Sequence, residues 1–217
     1  MNTLKKKYVF TILLSVCITF VGFGQLTDKE IRKRKEAAKE KKGSFNIFDK
    51  ETGTLNLNTL GSARVDRNDP LLENITKSKL HVIISEGLVA SDLKEELLNI
   101  DSEKYTIFAP RDESFRQLPD GRLGELTSKG NEEELDDLIK NHVVKGEYTL
   151  EKIISLINGG NGRAEFKTLS GLKILILKRG NRYAIVDAQG NKSYILAKDF
   201  LSRNGVIHDI SAVLQKK

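Results

Sequence analysis

Three short blocks, widely spaced and in fixed order, constrain this chain more than its composition does: residues 105–115 (YTIFAPRDESF), 141–146 (NHVVKG) and 204–214 (NGVIHDISAVL). The β-branched and aromatic run from Tyr105 to Phe108 predicts a short strand. Ala109 and Pro110 should end it, because proline fixes φ and offers no N–H to a ladder. Asp112 and Glu113 suit the first turn of a following helix, where carboxylates favour exposed N–H groups. In the last block, Asn204 and Gly205 predict a turn. Alternation then places Val206, His208, Ile210, Ala212 and Leu214 on one strand face.

In wording and order the blocks resemble the fasciclin-like domain family, over residues 70–215, the C-terminal two-thirds of the chain. Phe108, Pro110 and Phe115 carry the first block's likeness, and Asn204, Gly205 and His208 carry the last. The resemblance implies an α+β domain, a wedge-shaped β-sandwich of two sheets with helices packed along one edge. It also implies a non-enzymatic binding or adhesion role at the cell envelope or outside the cell, toward protein or polysaccharide partners. Asn141 and His142 stand where the family has a Tyr-His pair read as an adhesion motif. Here Asn141 takes the tyrosine's place.

The chain has 217 residues, 39% hydrophobic and 30% charged, which suits one ordinary domain with extensions. Its net charge of +6 invites a nucleic-acid reading. The distribution argues against one: Lys5, Lys6 and Lys7 supply +3, and residues 28–42 hold eight Lys/Arg against four Asp/Glu. What remains is close to neutral, with no electrostatic footprint for a phosphate backbone, so no nucleic-acid partner is expected.

Those three lysines precede a sixteen-residue apolar run, 8–23, flanked at its end by Gly22 and Gly24. A basic start, an apolar core and small residues before Gln25 predict a signal peptide over residues 1–24 and export to the periplasm, cell surface or medium. An uncleaved anchor is the alternative, although the run falls short of the roughly 20 residues that span a bilayer. Leu14, Ser15, Val16 and Cys17 resemble a lipobox faintly, but Val16 is large for the position before a lipidated cysteine. Cys17 is the sole cysteine. Without it the mature chain has no disulfide, Cys metal site or thiol nucleophile.

Residues 25–43 predict a basic, polar helical tether, with only Ile31, Ala37 and Ala38 interrupting the charge. A solvated tether is one reading. The other is weak contact with an anionic membrane surface through Lys29, Arg32, Lys33, Arg34 and Lys35, making the protein a structural envelope component. Residues 44–69 read as a linker with one hairpin, 45–48 against 54–57. From Pro70 to residue 217 the fasciclin-like domain is expected. One or two helices run from Leu71 to about Gly87, another over 88–100, another over 131–144 closed by Gly146, and one over 149–157 capped by Thr149. Beyond them the period changes to strands at 166–169, 172–178, 182–186, 194–197 and 206–214, separated by glycine and asparagine turns.

The titratable residues give no catalytic constellation. His142 lies on the apolar stripe of its predicted helix and His208 in the inward phase of the last strand, so both read as buried structural histidines. His81 lacks a partner at ligand spacing, and HExxH is absent, so no metal or cofactor is expected. There is no GxSxG elbow, and His208 and Asp209 fall on opposite strand faces. The GGNG run at 159–162 lacks the Lys-Ser/Thr of a phosphate loop and reads as a flexible turn. Asp112 and Glu113 diverge around a helix start, which suits helix-end charge better than paired acid–base work.

Overall fold

Strands β3 (Tyr105–Pro110) and β9 (Gly205–Ile210) run side by side in parallel, and all twelve of their residues are buried. The computed structural model describes residues 59–101 and 103–216. The signal peptide, the basic tether and the 45–57 hairpin lie outside the described residues. Burial on both faces suits the largely apolar YTIFAP, as in the central strands of parallel sheets, and in GVIHDI it also encloses His208 and Asp209. The alternation read in the last block is therefore a partial truth. Val206 and His208 are buried, but so are Ile207 and Asp209 between them, and the strand stops at Ile210. Pro110 does not end the first strand early either. It stays in register opposite Ile210 as the last rung, where a missing N–H costs little.

Around this pair the chain lays down β1 (Thr59–Leu60), β2 (Ala63–Arg64), α1 (Leu71–Thr76), α2 (Val82–Ala90) and α3 (Lys94–Leu98) before β3. After β3 come α4 (Asp112–Phe115), α5 (Arg122–Leu126), α6 (Glu132–Lys140), β4 (Val143–Lys145) and α7 (Leu150–Gly159). Four strands, β5 (Arg163–Lys167), β6 (Lys173–Arg179), β7 (Arg182–Val186) and β8 (Lys192–Ser202), then lead into β9. The hydrogen-bonded order is β4-β3-β9-β8-β7-β6-β5. The expected sandwich is thus one seven-stranded mixed sheet bent back on itself. The bend is in β8, whose pairing with β9 slips between Ile195 and Ala197 and again before Phe200, as bulges do where a sheet turns a corner. At the far side Val144 bridges Thr168, and the Leu169 N–H donates to the Val143 carbonyl, so the two layers nearly close.

Two cores result. Leu71, Ile75, Ile84, Leu88, Leu97 and Ile139 of the helices pack on Ile107 and Ile207 from one side. Phe108 and Ile210 face the other core, among Ile153, Phe166, Ile174, Ile176 and Ile185. The first core also takes in Leu60 and Val65, so the compact unit begins before the Pro70 boundary read from sequence.

Element ends differ from the sequence expectations for identifiable reasons. α2 runs through Gly87 instead of stopping there, because Gly87 faces α6, and a Cβ would overlap the Ile139 side chain. The helix expected over 131–144 ends at Lys140. The stripe Leu135, Leu138 and Ile139 is helical, whereas Val143 and Val144 belong to β4, drawn into register with Ile107 and Thr106. Thr149 caps α7 as expected, its Oγ1 accepting from the Lys152 N–H. The strand expected over 166–169 starts earlier, at Arg163.

Asn204 and Gly205 join the layers. The Asn204 Oδ1 accepts from the Leu71 N–H at 2.8 Å, while its Nδ2 donates to the Leu97 and Asn99 carbonyls at 3.0 and 3.2 Å. Its own carbonyl accepts from the Tyr105 N–H. At Gly205, φ is +151°, and a Cβ there would overlap the Tyr105 carbonyl oxygen. Asn204→Ala should therefore cost about 3 kcal/mol in urea unfolding, since it leaves buried N–H and C=O groups unpaired; a cost under about 1 kcal/mol would contradict the role assigned to Asn204.

Candidate functional site

The turn that follows α6 brings the two candidate adhesion residues together but turns them inward. Asn141 is 1% exposed and His142 is not exposed at all. Asn141 Nδ2 donates to the Leu214 carbonyl at 3.1 Å, and its Oδ1 accepts from Ser170 Oγ at 2.5 Å. His142 Nδ1 donates to the Leu138 carbonyl at 2.8 Å, and Nε2 accepts from the Leu214 N–H at 2.9 Å. Those two bonds define a neutral imidazole protonated at Nδ1. The His142 carbonyl in turn accepts from the Phe108 N–H. The pair ties α6, β3 and the C-terminal tail at one point, as a side-chain hub in a turn and not on a helix.

His208 is equally enclosed. Its Nε2 donates to the Tyr148 carbonyl at 2.8 Å, its Nδ1 accepts from the Asp199 N–H at 3.3 Å, and its ring stacks on Phe108 with centroids 5.6 Å apart. Burial lowers its pKa. Phe108 and Phe115, from the first block, are core side chains with 0% and 1% exposure.

A second polar cluster was not foreseen. His81, also fully buried, lies between Ser78 Oγ, 2.7 Å from Nδ1, and Asp209 Oδ1, 3.3 Å from Nε2. Arg111 grips the same carboxylate from the surface side, Nε to Oδ2 at 2.9 Å and Nη2 to Oδ2 at 2.6 Å. Burial would raise the Asp209 pKa, but the hydrogen bonds from His81 and Arg111 outweigh it and hold the carboxyl below its ordinary value. A serine, a histidine and an aspartate thus stand in line, yet the arrangement does not suit nucleophilic catalysis. Ser78 is 2% exposed and bonds Nδ1, whereas a serine base relay uses Nε2. Arg111 directly follows β3, and Asp209 is the next-to-last residue of β9, opposite Ala109, so the parallel register itself brings them together. A charge at or next to the end of each recognisable strand block was the available signal.

Asp112 does not serve its own helix. Its Oδ1 accepts from the Ile83 N–H in the first turn of α2, while its N–H donates to the Leu80 carbonyl. The carboxylate therefore satisfies a helix start as expected, but a neighbour's.

Beside Asn141 a cleft of about 280 Å³ opens between α5, α6 and the tail, floored by Leu118, Leu126 and Leu138. Its charged rim is internally paired, Arg122 with Glu125 and Glu134, and Lys216 with Asp137. Among the described residues, no three His, Cys, Asp or Glu side chains are placed to hold a metal ion.

A mixed sheet bent into two layers, helices on one flank and histidines committed to the interior define a compact scaffold domain. Residues 81–216 match the family model of the fasciclin domain, and the chain belongs to that family. It is similar to the rabbit (Oryctolagus cuniculus) transforming growth factor-beta-induced protein ig-h3, 37% identical over 112 residues that make up 51% of this chain and 14% of that protein. Similarity extends to human periostin, 33% identical over 58% of this chain and 13% of periostin, and to the Synechocystis protein sll1483, 28% identical over 58% and 61%. The chain thus spans less than two-thirds of each of these relatives. Among solved structures it superposes on the FAS1 domain pair of the insect cell adhesion molecule Fasciclin I. There the TM-score is 0.60 and the identity 19%, over 68% of this chain and 51% of that one.

The buried histidine makes stability pH-dependent. Burial lowers the His142 pKa to about 4. The unfolded imidazole protonates near pH 6.5, so acid favours the unfolded chain. Its contribution, about 3 kcal/mol, is complete above about pH 6.5 and is lost as the pH falls toward about 4. In urea melts at about pH 7 and pH 4.5, His142→Gln should lose less stability on acidification than the parent. Parallel losses in the two proteins would rule this out.

Proposed function

We propose that the protein is an exported, non-enzymatic binding and adhesion module acting at the cell envelope or outside the cell, toward a protein or polysaccharide partner. The observation that carries this reading is membership of the fasciclin family together with the inward commitment of the chain's histidines. His81, His142 and His208 are each fully buried and hydrogen-bonded to the fold. With them engaged, contact with a partner falls to exterior side chains. The relationship to an insect cell adhesion molecule supports adhesion as the general task, and the apolar run preceded by Lys5, Lys6 and Lys7 supports export. Asn141 and His142 contribute by position: they hold the floor of the cleft beside the tail and set the shape of that surface, without reaching a partner themselves.

The rival reading gives the contact to the basic tether and leaves the domain a passive fold. Replacing Lys29, Arg32, Lys33, Arg34 and Lys35 with glutamine in the full chain separates the two. Binding to envelope preparations from the producing cell, measured by co-sedimentation, should stay within about twofold of the parent if the domain makes the contact. Tether-driven binding, being ionic and screened, would be abolished by the same change.

A further inference from the structure

The outward face of β5–β8 breaks a rule of sheet stability twice. Residues directly opposite on neighbouring strands share a face, and like charges placed so repel. Lys167 stands opposite Lys173 at one end of this face, and Arg179 stands opposite Arg182 at the other. Arg163 and Lys192 complete a set of six cations, against Glu165 as the one carboxylate of these rungs. Glu165 pairs with Lys173 at 3.3 Å. Among the described residues, Arg163, Lys167, Arg179 and Lys192 have no ion-pair partner, and all four are exposed. Between the two cationic ends runs an apolar band, Leu175 beside Val186 and Leu177 beside Ala184, which Tyr194 flanks on its other side, with Leu196 44% exposed at its edge. The opposite side of the same strands, Phe166, Ile174, Ile176 and Ile185, fills the second core. The fold therefore needs the inner face, while Arg163, Lys167, Arg179 and Lys192 on the outer face add no ion pair to it.

We infer that this sheet face binds an acidic, carboxylated polysaccharide, which deepens and rests on the reading of the protein as a binding module. From Arg163 to Lys167 the cationic ends lie about 13 Å apart, and four strands make the face about 14 Å wide. A run of sugar rings laid across the band would set its C–H faces on Leu175, Leu177 and Val186 and its carboxylates on the cations at either end. Charge complementarity selects an anion, and the surroundings select the polymer. A second copy of the chain is a poor occupant, because its acidic helix α6 already pairs Glu134 with Arg122, Asp136 with Lys140 and Asp137 with Lys216. A lipid surface would require several large apolar side chains free to insert, whereas the band is half-buried apart from Leu196. Stacked nucleobases need an open aromatic ring, and Tyr194 is covered by the Arg182 guanidinium 4.3 Å from its centroid.

The test uses the full chain carrying the five tether substitutions above, so that the tail does not contribute. Binding to polygalacturonate is measured by calorimetry beside dextran, phosphatidylglycerol vesicles and a single-stranded oligonucleotide. Arg163→Glu, Lys167→Glu, Arg179→Glu and Lys192→Glu together should weaken polygalacturonate binding more than about tenfold. The same variant should melt at or above the parent's temperature, because two repulsive cross-strand pairs become attractive. Arg64→Glu, Lys79→Glu, Lys94→Glu and Lys129→Glu, exposed residues off this face with an identical charge change, should alter binding less than about threefold. Equal loss in both variants, no loss in the first, or tighter binding of vesicles, oligonucleotide or dextran than of polygalacturonate would overturn the assignment. Such a failure is distinct from failure of the module itself, which is read from envelope co-sedimentation of the tether-substituted chain.

Discussion

The parallel pairing of β3 with β9 is the constraint on which the rest depends. Ninety-four residues, 111–204, separate Pro110 from Gly205, and the two strands meet along six consecutive rungs from Tyr105 and Gly205 to Pro110 and Ile210. Closing so long a loop costs entropy before any contact repays it. The repayment is burial on both faces, because β3 and β9 each feed two separate cores. Contact between their starts requires glycine at 205, where any Cβ would strike the Tyr105 carbonyl. Asn204 then carries the same junction outward to α1 and to the end of α3. A sequence block that looks like a tight turn is, in the fold, the clasp between first and last central strands.

Polar groups inside such a structure must find partners, and the histidines show how. Each of the three sits at a seam: His81 between the helices and β9, His142 between α6 and the tail, His208 between β9 and the segment before α7. Each bridges groups distant in sequence through both ring nitrogens. Neutral imidazole suits this use at His142 and His208, since one nitrogen donates while the other accepts. Where a charge is needed inside, Asp209 is held by Arg111 from the surface as well as by His81. Removing one partner would strand a buried carboxylate, which is why such networks are destabilising to break even when their net contribution to stability is modest.

Ion pairing is uneven across the molecule. The helical flank neutralises itself locally, with Lys140 between Asp92 and Asp136, Lys77 between Asp69 and Glu73, and Arg122 between Glu125 and Glu134. On the outer β5–β8 face, cations instead face cations. Sequences tend to satisfy local rules unless function overrides them. The unsatisfied rule here lies on a surface that the cores do not use.

Much of the architecture was legible in the residues. The strand at 105, the Thr149 cap, the β7 strand and the glycine-punctuated second half follow from propensity, periodicity and turn chemistry acting over a few neighbours. So did the interior placement of His142 and His208, because both stood in apolar phases. Local pattern failed where distant segments decided. The helix stripe that seemed to reach Val144 was cut at Lys140 because β3 offered Val143 and Val144 a ladder. Gly87 looked like a helix end until Ile139 filled the space above it. His81 appeared isolated because Asp209 lies 128 residues away, and the six-cation face was invisible because its members come from four strands. Sequence alone determined which segments prefer helix or strand and which family the blocks resemble, since those are properties of neighbouring residues. Tertiary structure decided register, seams and surface charge, since these arise when remote backbone groups must share one set of hydrogen bonds.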